Sequence, residues 1–86
     1  MTKRQVLTIF ANSAHPLTPD AICRQLEGFH HRSSVYSYLF RLHRQGLLNR
    51  TRLGSRIAYE ISARGIERLN FFNKQEGGIW NRPKSL

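Results

Sequence analysis

Basic side chains that could bind phosphate are concentrated in the middle of this chain. No acidic residue lies between Glu27 and Glu60, although six of the eleven arginines fall in that interval. The planar guanidinium group of arginine donates paired hydrogen bonds to phosphate oxygens and to the edge of guanine. The interval therefore predicts a surface that binds a polyanion, with nucleic acid as the first candidate. Its arginines are Arg32, Arg41, Arg44, Arg50, Arg52 and Arg56, and its histidines are His30, His31 and His43.

The whole chain carries the same positive bias. Its 86 residues include 14 Lys+Arg against 5 Asp+Glu, which gives a formal net charge of +9. Self-repulsion at this charge opposes compaction and favours a polyanion as the neutralising partner. The length predicts a single domain, and a hydrophobic fraction of 40% predicts a buried core. Because so small a core gives only marginal stability, a second subunit would help, and we expect a homodimer.

Residues for catalysis or metal binding lack the spacing that such chemistry requires. The five acidic residues are scattered, and the sequence contains no glycine-rich phosphate loop and no evident pair of nucleophile and base. Cys23 is the only cysteine, and no two of the four histidines are spaced as His-x-x-x-His. The apolar run after Lys3 and Arg4 is too short for a signal peptide. We predict a cytoplasmic protein that is not an enzyme and binds neither a cofactor nor a metal ion, with Cys23 in the core.

Hydrophobic periodicity predicts two helices before the basic interval. The first covers about residues 3–13. The second begins at Thr18, whose hydroxyl can cap free amide groups, with Pro19 in the first helical position. It ends near residue 27, where Gly28 supplies a stop. The residues expected in the core are Val6, Ile9 and Phe10 of the first helix and Ala21, Ile22 and Leu26 of the second.

A third helix is predicted over about residues 33–45. Ser33 and Ser34 can cap its start, and Gly46 ends it. Residues three and four apart share one side of a helix, so its apolar and polar residues separate onto opposite faces. The face expected to pack on the first two helices is Val35, Tyr38, Leu39 and Leu42. The opposite face is Ser33, Ser37, Phe40, Arg41 and Arg44.

The rest of the chain predicts a β-hairpin, a fourth helix and a tail. Apolar residues alternate over residues 47–61 around a turn at Leu53-Gly54-Ser55, with Ile57, Tyr59 and Ile61 expected on one face. Ser62 caps a helix to about residue 72, with Ile66, Leu69 and Phe72 near one side. Residues 1–72 then form one domain and residues 73–86 a C-terminal tail. The fold class is α+β, mostly α, with three helices, a hairpin and a C-terminal helix.

The second and third helices have the spacing of a helix-turn-helix, in which the second helix of the pair enters the major groove of DNA. Small serines allow close approach to DNA, and arginines on the same face can neutralise phosphates or bond guanine. A solvated basic face and the protection of exposed strands are the simpler alternatives for the helix and the hairpin. The predicted contacts are Arg32, Ser33, Ser34, Tyr36, Ser37, Arg41 and Arg44 in the helix, and Arg50, Arg52 and Arg56 in the hairpin.

Two runs of residues resemble a known group of proteins. Ser34-Val35-x-x-x-Leu39-x-x-Leu42-x-x-x-Gly46-Leu47-Leu48 is followed by the basic hairpin and then by Tyr59-x-Ile61-Ser62-x-x-Gly65-x-x-x-Leu69. This pattern resembles the winged helix-turn-helix domains of MarR-, ArsR- and PadR-like prokaryotic transcription regulators. The resemblance implies that the third helix reads the major groove of double-stranded DNA, that the hairpin is the wing, and that the protein is a homodimer.

Dimer contacts would come from apolar residues near the C-terminus. Those residues could instead close the core of a single subunit. A winged helix can also serve as a protein-interaction or assembly module, or bind RNA, because a fold does not determine a function. The predicted dimer residues are Leu69, Phe71, Phe72, Ile79 and Trp80.

Overall fold

Within the part of the chain that the structure describes, four helices and one β-hairpin follow each other. The computed structural model describes residues 1–26, 28 and 30–81, with side chains through residue 74. The order confirms the predicted α+β, mostly helical, fold class. The elements are α1 (Lys3–Ala11), α2 (Pro19–Gln25), α3 (Arg32–Arg44), β1 (Leu48–Leu53), β2 (Arg56–Ile61) and α4 (Ala63–Asn81).

One hydrophobic core joins all of these elements. The spacing of apolar residues along α1 and α3 turns one side of each helix inward. Leu7, which was not among the residues expected in the core, is fully buried, whereas Cys23, expected in the core, is half-buried against it. The helix-derived core residues are Val6, Leu7, Phe10, Ile22, Val35, Leu39, Leu42 and Leu69, and the remainder are Leu17, Leu26, Leu47, Leu48 and Tyr59.

The helix starts agree with the sequence at α2 and differ at α3. The Thr18 hydroxyl accepts a hydrogen bond from the Ala21 amide at 3.3 Å, as predicted. At α3 the capping residue is His31, whose side chain makes no capping bond, and the helix begins at Arg32. The prediction that Ser33 and Ser34 cap α3 is therefore wrong. Both already lie in its first turn, which leaves their hydroxyls exposed on the helix surface.

A two-residue turn joins the two strands of the hairpin, and one residue from outside the hairpin pairs with β2. Leu53 pairs with Arg56, so the chain reverses at Gly54, whose φ of +67° lies in the left-handed region that favours glycine. At the other end, Leu17 and Tyr59 exchange two backbone hydrogen bonds of 2.8 Å. A bridge of one residue leaves no repeating pattern in the sequence, so the sequence did not predict it.

Burial does not alternate strictly along β2, whose apolar residues were expected on one face. Ala58 and Tyr59 are both buried, while Ile57 is 39% exposed. At the base of the hairpin, Tyr59 belongs to the hydrophobic core, and Leu17 pairs with its backbone along the edge of β2. Toward the tip, by contrast, both Arg56 and Ile57 are exposed.

Helix α4 is attached through its first turns. The Ser62 hydroxyl donates to the Gly46 carbonyl at 2.6 Å and accepts from the Gly65 amide at 3.0 Å, which confirms the predicted cap. The Ser62 amide donates to the Leu47 carbonyl at 3.0 Å. A Cβ atom on Gly65 would collide with that same Leu47 carbonyl oxygen. Helix and connector therefore meet backbone to backbone at a position that requires glycine.

Helix α4 differs from the prediction in its inward face and in its length. Ile66 was predicted on the apolar side but is 47% exposed, because the helix turns Gly65 and Leu69 inward. The helix was expected to end near residue 72 but continues to Asn81 through Gly77 and Gly78. The boundary between a domain of residues 1–72 and a tail of residues 73–86 stays a prediction. No helix in the described ranges is both long and apolar enough to cross a bilayer.

Replacing Gly65 with alanine should lower the stability of the fold. The added methyl group meets the Leu47 carbonyl and the Ile61 side chain, and overpacking of this kind costs about 1–3 kcal/mol. The free energy of unfolding from urea titration measures the effect. Asn70→Ala, at an exposed position of the same helix, should change it by no more than about 0.5 kcal/mol. Equal stability of Gly65→Ala and the wild type would contradict the close approach.

Candidate nucleic-acid interface

Helix α3 is anchored by one face and presents the other to solvent. Val35, Leu39 and Leu42 are completely buried. The helical period then directs the intervening residues outward. All seven predicted contact residues of α3 are exposed: Arg32, Ser33, Ser34, Tyr36, Ser37, Arg41 and Arg44.

Asp20 links the start of α2 to the first turns of α3. One of its carboxylate oxygens lies 3.2 Å from the Arg32 Nε and accepts a hydrogen bond from the Tyr36 hydroxyl at 3.3 Å. Asp20 lies in the first turn of α2, where the helix dipole favours a negative charge. In the structure it also orients two of the predicted contact residues. The Arg32 side chain remains 72% exposed, so the ion pair leaves much of it accessible.

The edge of α3 away from the hairpin carries hydroxyl groups. A shallow groove of about 340 Å³ runs there beside Arg41. Burial raises the pKa of Tyr38 above 10.0, and the nearby positive charge of Arg41 partly opposes this rise. The Tyr38 hydroxyl is therefore a neutral donor and acceptor at physiological pH. The groove is lined by Ser33, Ser34, Ser37, Tyr38 and Arg41.

The other edge of α3 is joined to the hairpin through aromatic and basic side chains. The His43 Nδ1 donates to the Leu48 carbonyl oxygen at 3.0 Å, and its ring centroid lies 6.1 Å from that of Tyr59 and 6.2 Å from that of Phe40. Phe40 is 43% exposed. The guanidinium carbons of Arg44 and Arg50 each lie 5.9 Å from the centre of its ring.

The three hairpin arginines are exposed but do not share one environment. Arg50 and Arg52 are two residues apart on β1 and so point to the same face of the hairpin. Arg56 begins β2 beside the turn. A groove of about 350 Å³ contains Arg50 and Arg56 but not Arg52, and it also reaches α2 and α3. Its lining residues are Thr18, Pro19, Asp20, Tyr36, Arg50, Arg56, Ile57 and Tyr59.

All ten predicted contact residues thus lie on the exposed surface of α3 and the hairpin. Sequence reasoning underestimated two members of it. Phe40 was noted on the outer face but given no role, although both Arg44 and Arg50 lie against its ring. Asp20 could not be linked to Arg32 and Tyr36, because the turn geometry that brings them together is not visible in spacing. Within the described ranges, no three His, Cys, Asp or Glu residues are grouped so as to hold a metal ion.

The raised pKa of Tyr38 predicts a loss of stability at alkaline pH. A phenol that holds its proton more tightly in the folded chain contributes stability below about pH 10, and this contribution disappears as the pH rises through the folded-state pKa. Between pH 8 and pH values above 10, the free energy of unfolding should therefore fall more for the wild type than for Tyr38→Phe. Parallel curves for the two proteins would contradict the assignment.

Two solved structures share this arrangement of elements. The transcriptional regulator BldR from Sulfolobus solfataricus is 19% identical with a TM-score of 0.73, and the match covers 96% of this chain and 59% of BldR. An ArsR-like transcriptional regulator from Rhodococcus sp. RHA1 is 17% identical with a TM-score of 0.60, over 96% of this chain and 74% of that one. The sequence matches no protein-family model and no curated protein. This chain, which spans about three fifths of the length of BldR, has the winged-helix fold of such regulators, as its sequence predicted.

Proposed function

We propose that this chain is a sequence-specific double-stranded DNA-binding transcriptional regulator rather than an enzyme. In this proposal α3 enters the major groove, and the wing, formed by β1 and β2, contacts the flanking backbone or the minor groove. The observation that carries the proposal is the exposed surface of α3 and the wing. All ten predicted contact residues are accessible there, and Asp20 is the one described acid that pairs with any of them.

The surface has the chemistry needed to bind DNA. The guanidinium groups of Arg41 and Arg44 can bond the O6 and N7 atoms of guanine, or they can bind phosphates. Ser33, Ser34 and Ser37 are small, and their hydroxyls, which are free of capping roles, can bond phosphates or base edges. The rivals named from sequence, an assembly module and an RNA-binding protein, predict a different outcome in the duplex titration below. A regulator of this kind acts where the DNA is, which in a prokaryotic cell is the cytoplasm.

We also propose that the protein acts as a homodimer, with α4 supplying contacts. Phe71 is 53% exposed, and its ring centroid lies 6.2 Å from that of half-buried Phe72. Large exposed apolar side chains of this kind favour a partner surface. Leu69 belongs to the core of its own chain, so the proposal depends on the two phenylalanines. The side chains of Ile79 and Trp80 lie outside the described residues, and their predicted role stays a prediction.

Salt-dependent binding to duplex DNA tests the main proposal. The logarithm of the binding constant should fall linearly with the logarithm of salt concentration, with a slope near −0.9 for each phosphate neutralised. Arg41→Ala or Arg44→Ala should cost about 1–3 kcal/mol on a selected site if the residue bonds a base, whereas Arg52→Ala should weaken all sequences alike if it binds phosphate. Lys74→Ala removes one charge outside this surface and is the matched control. No binding to duplex at low salt would contradict the proposal.

Molar mass in solution, measured by sedimentation equilibrium, tests the dimer. Phe71→Ser should shift the mass toward that of a single chain, because the substitution removes an exposed apolar contact on α4. Phe40→Ser, at a phenylalanine of similar exposure on α3, should leave the mass unchanged. A wild-type mass equal to one chain, or equal masses for the wild type and Phe71→Ser, would count against α4 as the dimer surface.

A further inference from the structure

The ring of Phe40 brings together two arginines from different elements. Arg44 lies one helical turn after Phe40 on α3, and Arg50 is the third residue of β1. Both guanidinium carbons are 5.9 Å from the ring centroid, so they can be no further apart than twice that distance. Attraction between a cation and the face of an aromatic ring operates at this separation. One side chain therefore orients a basic group of the helix and a basic group of the wing.

This arrangement leaves two like charges around one ring without a neutralising acid. Among the described residues, neither Arg44 nor Arg50 forms an ion pair with a carboxylate. Asp20, on the same side of the molecule, is engaged by Arg32 and Tyr36. Two guanidinium groups repel each other, and an anion bound between them is attracted to both. The pair is thus suited to the phosphate backbone of a nucleic acid.

The residues beneath the ring hold it in place. His43 lies beside Phe40, and its hydrogen bond to the Leu48 carbonyl ties the last turn of α3 to the first residue of β1. His43 also lies beside the buried ring of Tyr59. Because this bond joins the helix to the strand beside Phe40, the two elements that carry the arginines keep a fixed relation to each other. A preorganised pair of this kind loses less freedom on binding than two independent side chains.

We propose that Phe40 is a positioning residue that holds Arg44 of α3 and Arg50 of β1 as one paired-arginine clamp for the phosphate backbone of duplex DNA. The inference rests on the proposed function and extends it. Helix and wing bind the backbone as a coupled unit, and the coupling depends on an aromatic ring that itself carries no charge. Phe40 thus acts through its two neighbours, and its contribution does not depend on the base sequence.

A double-mutant cycle on random-sequence duplex DNA tests this coupling. Arg44→Ala, Arg50→Ala and the double variant are compared in the wild-type background and in a Phe40→Leu background, which keeps an apolar side chain but removes the ring. If the two arginines act independently, the fold-loss of affinity in the double variant equals the product of the two single fold-losses, within roughly 2-fold. With Phe40 present, the loss in the double variant should be smaller than this product by at least about 3-fold. In the Phe40→Leu background the two losses should multiply.

Further variants separate the clamp from a general effect on the fold. Phe40→Leu alone should weaken binding to random duplex by about 2- to 10-fold, because the contact of the ring with each arginine is lost. Phe40→Tyr keeps an aromatic ring and should bind as the wild type does. Arg52 makes no contact with the ring, so Arg52→Ala should cost the same factor in both backgrounds. Unfolding midpoints of the Phe40 variants should stay near that of the wild type, since the side chain is 43% exposed.

The possible failures can be told apart. If the wild type binds duplex DNA but the losses from Arg44→Ala and Arg50→Ala multiply, or their coupling persists in the Phe40→Leu background, the clamp is overturned while DNA binding stands. Unchanged binding of Phe40→Leu to random duplex also overturns it. If the wild type does not bind duplex even at low salt, the proposed function fails and the clamp fails with it.

Discussion

The burial of one face of α3 is the constraint on which the rest of this small protein depends. Val35, Leu39 and Leu42 are fully excluded from solvent, and every other element contributes residues to the core that covers them. Burying apolar side chains is the main favourable term available to a chain of 86 residues. Because a helix cannot turn one face inward without turning the other outward, the force that folds the protein also displays its serines and arginines.

The sequence predicted those features that depend on periodicity and composition. The helix order, the hairpin, the Ser62 cap and the exposure of the α3 residues all follow from local patterns. Features that depend on contacts between distant segments were missed or wrong. The Leu17–Tyr59 bridge involves one residue on each side. Ile66 faces solvent because the close approach at Gly65 fixes the rotation of α4.

The candidate site shows the same division between local and distant information. Residue types identified a basic surface, but spacing could not reveal which arginines already have partners. Arg32 is paired with Asp20, whereas Arg44 and Arg50 lie against an aromatic ring. An ion pair already neutralises the arginine in the free protein, which reduces what a bound anion can add. Two arginines that share only an aromatic ring keep their full attraction for an anion. Arginines of equal formal charge therefore contribute unequally to binding.

The Leu17 bridge also bears on how the protein avoids aggregation through the edge of its hairpin. The outer edge of a two-stranded hairpin offers unpaired backbone groups to any strand that approaches. Here the amide and carbonyl of Tyr59, at the base of β2, are already bonded to Leu17, and charged Arg56 and Glu60 lie along the same strand. A segment between two helices therefore closes the base of this edge to intermolecular strand pairing, while Ile57, toward the tip, stays exposed beside charged Arg56.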